Sequence, residues 1–339
     1  MNFFKRTITL SIAGALAACV VAEYSLRPVS ASWHYPAGEI RTIAQYSEGT
    51  AQAHFEADGL GTYGNRLTGH RSPPGAKVVT LLGDSHLLQE AVDDTETAGA
   101  VIENLARRAS KPLQVKQYGW YSAGLAAYLG EAPAIERASP SAVVVVVNEF
   151  DFGANELLYS LYWQMGVAPD MTITLRRQPR EEERGWRAAV REWSARSSLA
   201  LAILRRVNLI RSVQADSSGA PAGPRPEEVA AADEAARMQV AAMRGLRERY
   251  GSRLLVVYTP WCRPRCTAQP DTAESQLLAA CKAERVDCLS VREPMVASEQ
   301  ANHRFHRGFH NTGPGDGHLN RHGLAILGQT IWRHLEPRL

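Results

Sequence analysis

Two short segments near opposite ends of the chain carry the residue types that acyl chemistry needs. The first is Val78-Val79-Thr80-Leu81-Leu82-Gly83-Asp84-Ser85-His86, an apolar run that breaks into Gly-Asp-Ser. A serine placed between a strand and a following helix presents its hydroxyl at the carboxyl edge of a parallel sheet, where α/β folds build their sites. The helix start also offers backbone N–H groups to a developing oxyanion. The plainer reading is a turn with an N-cap, since Asp and Ser are preferred capping residues. The second segment is Gly315-Asp316-Gly317-His318-Leu319-Asn320, followed by Gly323 and a helix. A serine nucleophile needs a base, most often an imidazole, and the imidazole needs a carboxylate to hold its tautomer. Asp316 and His318 lie two apart in a Gly-flanked loop, so both can turn toward one point. Ser85 and His318 thereby become a candidate nucleophile and base.

Residues so far apart in sequence meet only if a framework brings them together. From Lys77 onward short apolar runs alternate with helix-period segments, as parallel strands with crossover helices do. The runs are Val78 to Leu82, Leu113 to Tyr118, Val143 to Val147, Leu254 to Tyr258 and Cys288 to Val291. Five consecutive valines at 143–147 suit a strand covered on both faces. Helices are predicted over Gln89 to Arg108, Ala123 to Arg137, Pro226 to Arg249, Ala273 to Glu284 and Leu319 to Leu335. The expected fold is α/β, a three-layer αβα sandwich around a mostly parallel five-stranded sheet. Residues 23–75 have no sustained period and are expected to form an extended lead-in to the domain at 76–339. An insertion at about 152–225, expected to be helical, separates the third and fourth strands. Its tail, Gln214 to Pro226, has the composition of a flexible loop. Trp186 to Arg211 has two readings: a basic amphipathic helix on a membrane or polyanion, or an ordinary helix with a solvated arginine face.

The order of these features resembles the SGNH/GDSL hydrolases: strand-Gly-Asp-Ser, a Gly-containing loop after the second strand, an Asn near the third, and a C-terminal Asp-x-His-x-Asn-x-x-Gly. The run from Gly83-Asp84-Ser85-His86 to Ala91-Val92-Asp93-Asp94-Thr95-Glu96-Thr97 resembles a bacterial branch whose members often carry an anchor or lipid leader. The resemblance covers about residues 76–337 and implies a flavodoxin-like layered fold. It makes Ser85 the nucleophile, His318 the base, and the Ser85 backbone N–H an oxyanion donor. The family places its acid three residues before the histidine, where this chain has Gly315. Asp316 lies two before, as in the Asp-x-His pairs of the related alginate O-acetyltransferases, where that pair instead precedes the serine. The second block falls at Gly119, Ser122 and Gly124, with Ser122 in the register of the family glycine. The third offers Asn148, although strict register points to Phe150.

The implied activity is a serine esterase acting on O-acyl, chiefly O-acetyl, esters of envelope or exopolysaccharide glycans, with lipid esters as the other substrate class. With a sugar hydroxyl in place of water the same site would be an O-acyltransferase. The altered middle blocks leave room for a non-catalytic glycan-binding or assembly protein. No cofactor is called for. His303, His306 and His310 have spacings that a helix could align around a metal, but the Gly and Asn around them favour a loop over the acyl pocket, and no metal is assigned. Arg263 and Arg265 either contact an anionic substrate or belong to a disulfide-pinned turn.

The first 22 residues have the form of a leader: Lys5 and Arg6, an apolar run from Thr7, then Leu16-Ala17-Ala18-Cys19. The tetrapeptide resembles a bacterial lipobox, with Cys19 lipidated; an uncleaved anchor and plain secretion are the alternatives. All three put the folded part outside the cytoplasm, in the periplasm or cell envelope. There Cys262, Cys266, Cys281 and Cys288 read as two disulfides of open connectivity, because their spacing is not that of a zinc site. The whole chain of 339 residues has 38 Lys plus Arg against 35 Asp plus Glu. That near-neutral balance excludes a dedicated nucleic-acid binder, which needs a basic surface to displace counterions.

Overall fold

The valine run decides the architecture, because a segment with no polar face has to be covered on both sides. The computed structural model describes residues 11–22, 24–25, 39–43, 52–56, 64–120, 123–152, 159–160, 163–177, 199, 226–262, 265–309, 312 and 315–339. Residues 11–22 are helical (α1). Three strands follow, β1 (Glu39–Ile43), β2 (Gln52–Glu56) and β3 (Asn65–Arg66), then β4 (Lys77–Gly83). After β4 come α2 (Ser85–Leu88), α3 (Ala98–Arg108), β5 (Leu113–Gly119), α4 (Leu125–Gly130), α5 (Ala132–Glu136) and β6 (Ala142–Val147). The strands β7 (Tyr159–Ser160), β8 (Trp163–Val167) and β9 (Ile173–Arg177) lie in the insertion. The chain closes with α6 (Pro226–Tyr250), β10 (Leu254–Tyr258), α7 (Thr272–Glu284), β11 (Cys288–Ser290), α8 (Arg292–Asn302) and α9 (Arg321–Leu335).

The main sheet runs in the order β1-β2-β3-β5-β4-β6-β10-β11, and its members from β5 to β11 are parallel. Strand alternation then sorts the core. Val143, Val145 and Val147 face a layer with Tyr128, Met238, Met243 and Leu277, whereas Val144 and Val146 face Ile102, Leu324, Leu327 and Ile331. The result is the expected three-layer α/β sandwich, with all five predicted strands present.

Three expectations are corrected. The sheet has eight strands rather than five, because residues 39–66 of the supposed lead-in add β1, β2 and β3 as an antiparallel extension. These strands are short and polar, which hid them from a search for period. Where the insertion is described over 159–177 it is an antiparallel sheet and not the expected helix, β8 pairing with β7 and β9, while Leu199 is helical. It docks by seating Trp163 on Gly130, where a Cβ would lie 2.2 Å from the indole, and Trp163 Nε1 donates to Glu131 at 2.9 Å. The helix expected from Gln89 begins instead at Ala98, since Gln89 is left-handed at φ 47° and Thr97 caps α3 through Ala100 N. The helix α8 was not foreseen, and Trp186 to Arg211, Leu199 apart, lies outside the described residues.

Disulfides join Cys262 to Cys266 and Cys281 to Cys288, which resolves the connectivity. The first closes the loop after β10, and the second ties α7 to β11.

A buried guanidinium fixes the turn after β4. Arg66 donates to the carbonyls of Leu88 (3.0 Å), Gln89 (2.6 Å) and Val92 (2.9 Å), and through Nε to Asp94 (3.0 Å). Opposite it, β5 lies so close to α2 that a Cβ on Gly119 would sit 2.4 Å from Leu88 N. That contact is with backbone, which cannot rotate away. Gly119→Ala is expected to cost about 1–3 kcal/mol, the usual range for overpacking, read as a lower urea midpoint at unchanged slope.

Candidate functional site

Ser85 stands where β4 ends. Asp84 is the N-cap of α2: its Oδ1 accepts from His86 N at 2.8 Å, which turns the chain out of the sheet and leaves Ser85 as the first helical residue. The capping reading of Gly-Asp-Ser is therefore right as far as Asp84 is concerned. Because α2 is a single turn, it supplies individual N–H groups and not a developed macrodipole.

His318 arrives from the other end of the chain. The loop before α9 turns through Gly315 (φ 70°) and Gly317 (φ 107°), conformations open to glycine, and is pinned by a bridge between Arg307 and Leu319. Gly308 N donates to His318 O at 2.9 Å, and the Asn320 side chain caps α9 while donating to Phe305 O and Gly308 O. Gln89 Nε2 donates to Leu319 O at 2.6 Å, tying this loop to the turn that carries Ser85. The outcome is a hydrogen bond of 3.0 Å between His318 Nε2 and Ser85 Oγ, across 233 positions of sequence. That is the geometry of a serine whose proton can pass to imidazole. Asp316 lies in the same loop, and its Oδ1 accepts from Gly317 N at 3.0 Å.

The residues proposed around an oxyanion divide. Asn148 reaches the nucleophile turn, where its Nδ2 donates to Asp84 Oδ2 at 2.9 Å, while its own N–H is held by Asp151 at 2.8 Å. Gly119 pairs with Gly83 across the sheet and is packed against Leu88. Gly124 is the N-cap of α4, its carbonyl accepting from Ala127 N. Ser122 lies outside the described residues. Of the histidine stretch, His303 ends α8 in a left-handed conformation. His306 is buried with neither ring nitrogen bonded among the described residues, in contrast to the expected lid, and burial lowers its pKa to about 4. No group of three or more potential metal ligands occurs among the described residues. Arg265 is exposed, and Arg263 is outside the described residues.

Three neighbours of the site are not among the candidate site residues. The His86 ring lies 4.4 Å from that of His318, Arg307 Nη1 meets His86 Nδ1 at 3.0 Å, and Trp261 stands edge-on to His86 and under the Arg307 guanidinium. His86 directly follows the serine and was visible on that ground alone.

Burial pushes the Asp84 carboxyl above the ordinary aspartate range, while Asn148, the His86 N–H, and the charges of His318 and Arg307 pull it back. With the folded-state value above the unfolded one, ionising Asp84 lowers stability as pH rises through that interval. Asn148→Ala removes a donor to the carboxylate and widens the interval. The variant is expected to lose about 1–3 kcal/mol at pH 7, with a smaller deficit at pH 4, measured by urea unfolding at both.

No family model matches the chain, and no curated protein does. Similar solved structures include a lipase/acylhydrolase from Enterococcus faecalis, 14% identical with a TM-score of 0.42, covering 78% of this chain and 97% of that one. An acetyl xylan esterase is 12% identical with a TM-score of 0.40, covering 76% and 99%. A member of the lipolytic G-D-S-L family from Veillonella parvula is 10% identical with a TM-score of 0.39, covering 78% and 100%. TM-scores of 0.39 to 0.42 carry no argument about chemistry, which has to come from Ser85, His318 and the groups that hold them.

Proposed function

We propose that the chain is a serine ester hydrolase of the SGNH kind, and the observation that carries this is the 3.0 Å hydrogen bond from Ser85 Oγ to His318 Nε2. Ser85 Oγ attacks the ester carbonyl as its proton moves to His318. The imidazolium then returns that proton to the departing alkoxide, leaving an acyl-serine. Water, deprotonated by His318, attacks the acyl carbon; the bond to Ser85 Oγ breaks, the acid leaves, and the imidazolium returns its proton to Oγ. The Ser85 backbone N–H serves the oxyanion, and Asp316, two residues from the base, orients the imidazole.

The substrate class proposed is O-acyl esters on envelope or secreted glycans, with action outside the cytoplasm. Support for the compartment comes from the basic, apolar leader with its free, exposed Cys19, and from the two disulfides. In α1, Ile12, Leu16, Val20 and Val21 are exposed, as a segment that enters lipid or a lipoprotein-processing enzyme requires. No helix among the described residues is long and apolar enough to cross a membrane.

The test is reaction of the detergent-solubilised chain with a fluorophosphonate probe and with p-nitrophenyl acetate. Both signals are expected to vanish in Ser85→Ala, and His318→Ala should lower kcat by about 10²–10⁴. A wild-type chain that neither labels nor turns over would sink the hydrolase reading. Transfer of acetyl to an added oligosaccharide in excess of hydrolysis would replace it with an acyltransferase.

A further inference from the structure

The base has a neighbour that the esterase mechanism does not use. His86 is buried, and its ring lies beside that of His318 with centroids 4.4 Å apart and planes inclined by 31°. The ring also meets the Trp261 indole in a T-shaped contact, with centroids 5.1 Å apart. Arg307, 2% exposed, joins the segments on which the site is built. It donates through Nε to Pro260 O (2.9 Å), through Nη2 to Thr259 O (3.2 Å), and through Nη1 to both His86 Nδ1 (3.0 Å) and Gly317 O (3.5 Å). Gly317 immediately precedes the base.

A guanidinium has donors and no acceptor, so the Arg307 contact fixes the tautomer of His86. Nδ1 must carry the lone pair, and the proton sits on Nε2. We propose that Arg307 and His86 form a positioning pair for the catalytic base, in which Arg307 locks His86 as the neutral Nε2–H tautomer and the His86 ring holds His318 in line with Ser85. A neutral ring suits this place because an imidazolium forms on His318 in each half-reaction, and a second cation beside it would oppose the step.

The surrounding charges favour the neutral form. Burial is the largest cause holding the His86 imidazole well below the usual histidine range, and interaction with His318 and with the Arg307 guanidinium acts in the same direction. Asp84, in the turn beside it, interacts with His318 and Arg307, and Glu149 with Arg307. On the Trp261 side, the Glu149 carboxyl accepts from the Trp261 backbone N–H.

The kinetic arm rests on the esterase reading. With p-nitrophenyl acetate, His86→Ala is expected to lower kcat about 10- to 100-fold, as misplacement of a reacting group by an ångström or so does, with KM changed less than about twofold. His86→Phe, a flat neutral ring without nitrogens, should recover kcat to within about threefold. Arg307→Gln should lower kcat without such rescue. The spectroscopic arm needs no turnover: two-bond ¹H–¹⁵N correlation spectra of the full chain should show His86 as the Nε2–H tautomer, unchanged from pH 5 to 8, and Arg307→Gln should lose that pattern. An Nδ1–H tautomer or titration of His86 within that range would overturn the pair, as would wild-type kcat in His86→Ala. If His86→Ala fails to fold, a His86→Phe variant that folds but does not turn over would equally overturn it. Failure of the wild-type chain to label or turn over would strike the esterase reading alone, since the His86 spectrum decides the tautomer lock independently.

Discussion

The hydrogen bond between Ser85 and His318 joins two loops whose strands and helices are fixed by quite different parts of the chain. A contact of that kind survives only if neither loop can drift by even an ångström, because reacting groups lose most of their advantage over such a distance. The sheet meets half of the demand. Its parallel central strands set the carboxyl end of β4 against β5 on one side and β6 on the other, with Gly83 opposite Gly119. The other half falls to loops, where no ladder of backbone hydrogen bonds is available and side chains have to take over.

Buried polar groups do that work in a consistent way. Asp84 is held by its own helix turn and by Asn148, so the residue preceding the nucleophile is anchored to α2 and to the end of β6 at once. Gln89 reaches from the nucleophile turn to Leu319, and Gln117 Nε2 reaches from β5 to Leu87 O at 2.7 Å. Each bond contributes little net stability, on the order of 1 kcal/mol. Each is nevertheless costly to break, since the partner left behind is buried. That asymmetry makes the polar network more a device for fixing geometry than a source of stability.

How far the sequence revealed this depends on what each element had to announce. The parallel strands were legible because burial on both faces forces apolar runs, of which Val143–Val147 is the extreme case. Ser85 and His318 were legible because their chemistry needs particular types in glycine-bounded turns. By contrast β3 is two residues long and is recruited by its neighbours, not by any propensity of Asn65 and Arg66. The hairpin of β8 and β9 was missed because its anchors, such as Trp163 against Gly130 and Arg237 donating to Val167 O and Ala168 O, come from distant positions and leave no period. Arg307 stood in a run of histidines and arginines that reads as a loop over the acyl pocket. Only the fold shows that its charge is buried.

Arg66 and Arg307 have the same task at different places. Each inserts one side chain into a region of irregular backbone and satisfies three carbonyls plus one further acceptor, Asp94 for Arg66 and His86 for Arg307. A lysine has one nitrogen and three donors from a single point, so it cannot span acceptors contributed by separate segments. The planar fork can, with carbonyl dipoles around each buried cation and the Asp94 carboxylate beside Arg66. Arg66 therefore fixes where the helix after Ser85 ends, and Arg307 fixes where the loop before His318 lies. Between them the two guanidinia supply for the nucleophile and base what the ladder supplies for the strands: hydrogen bonds whose directions leave only one arrangement of the chain.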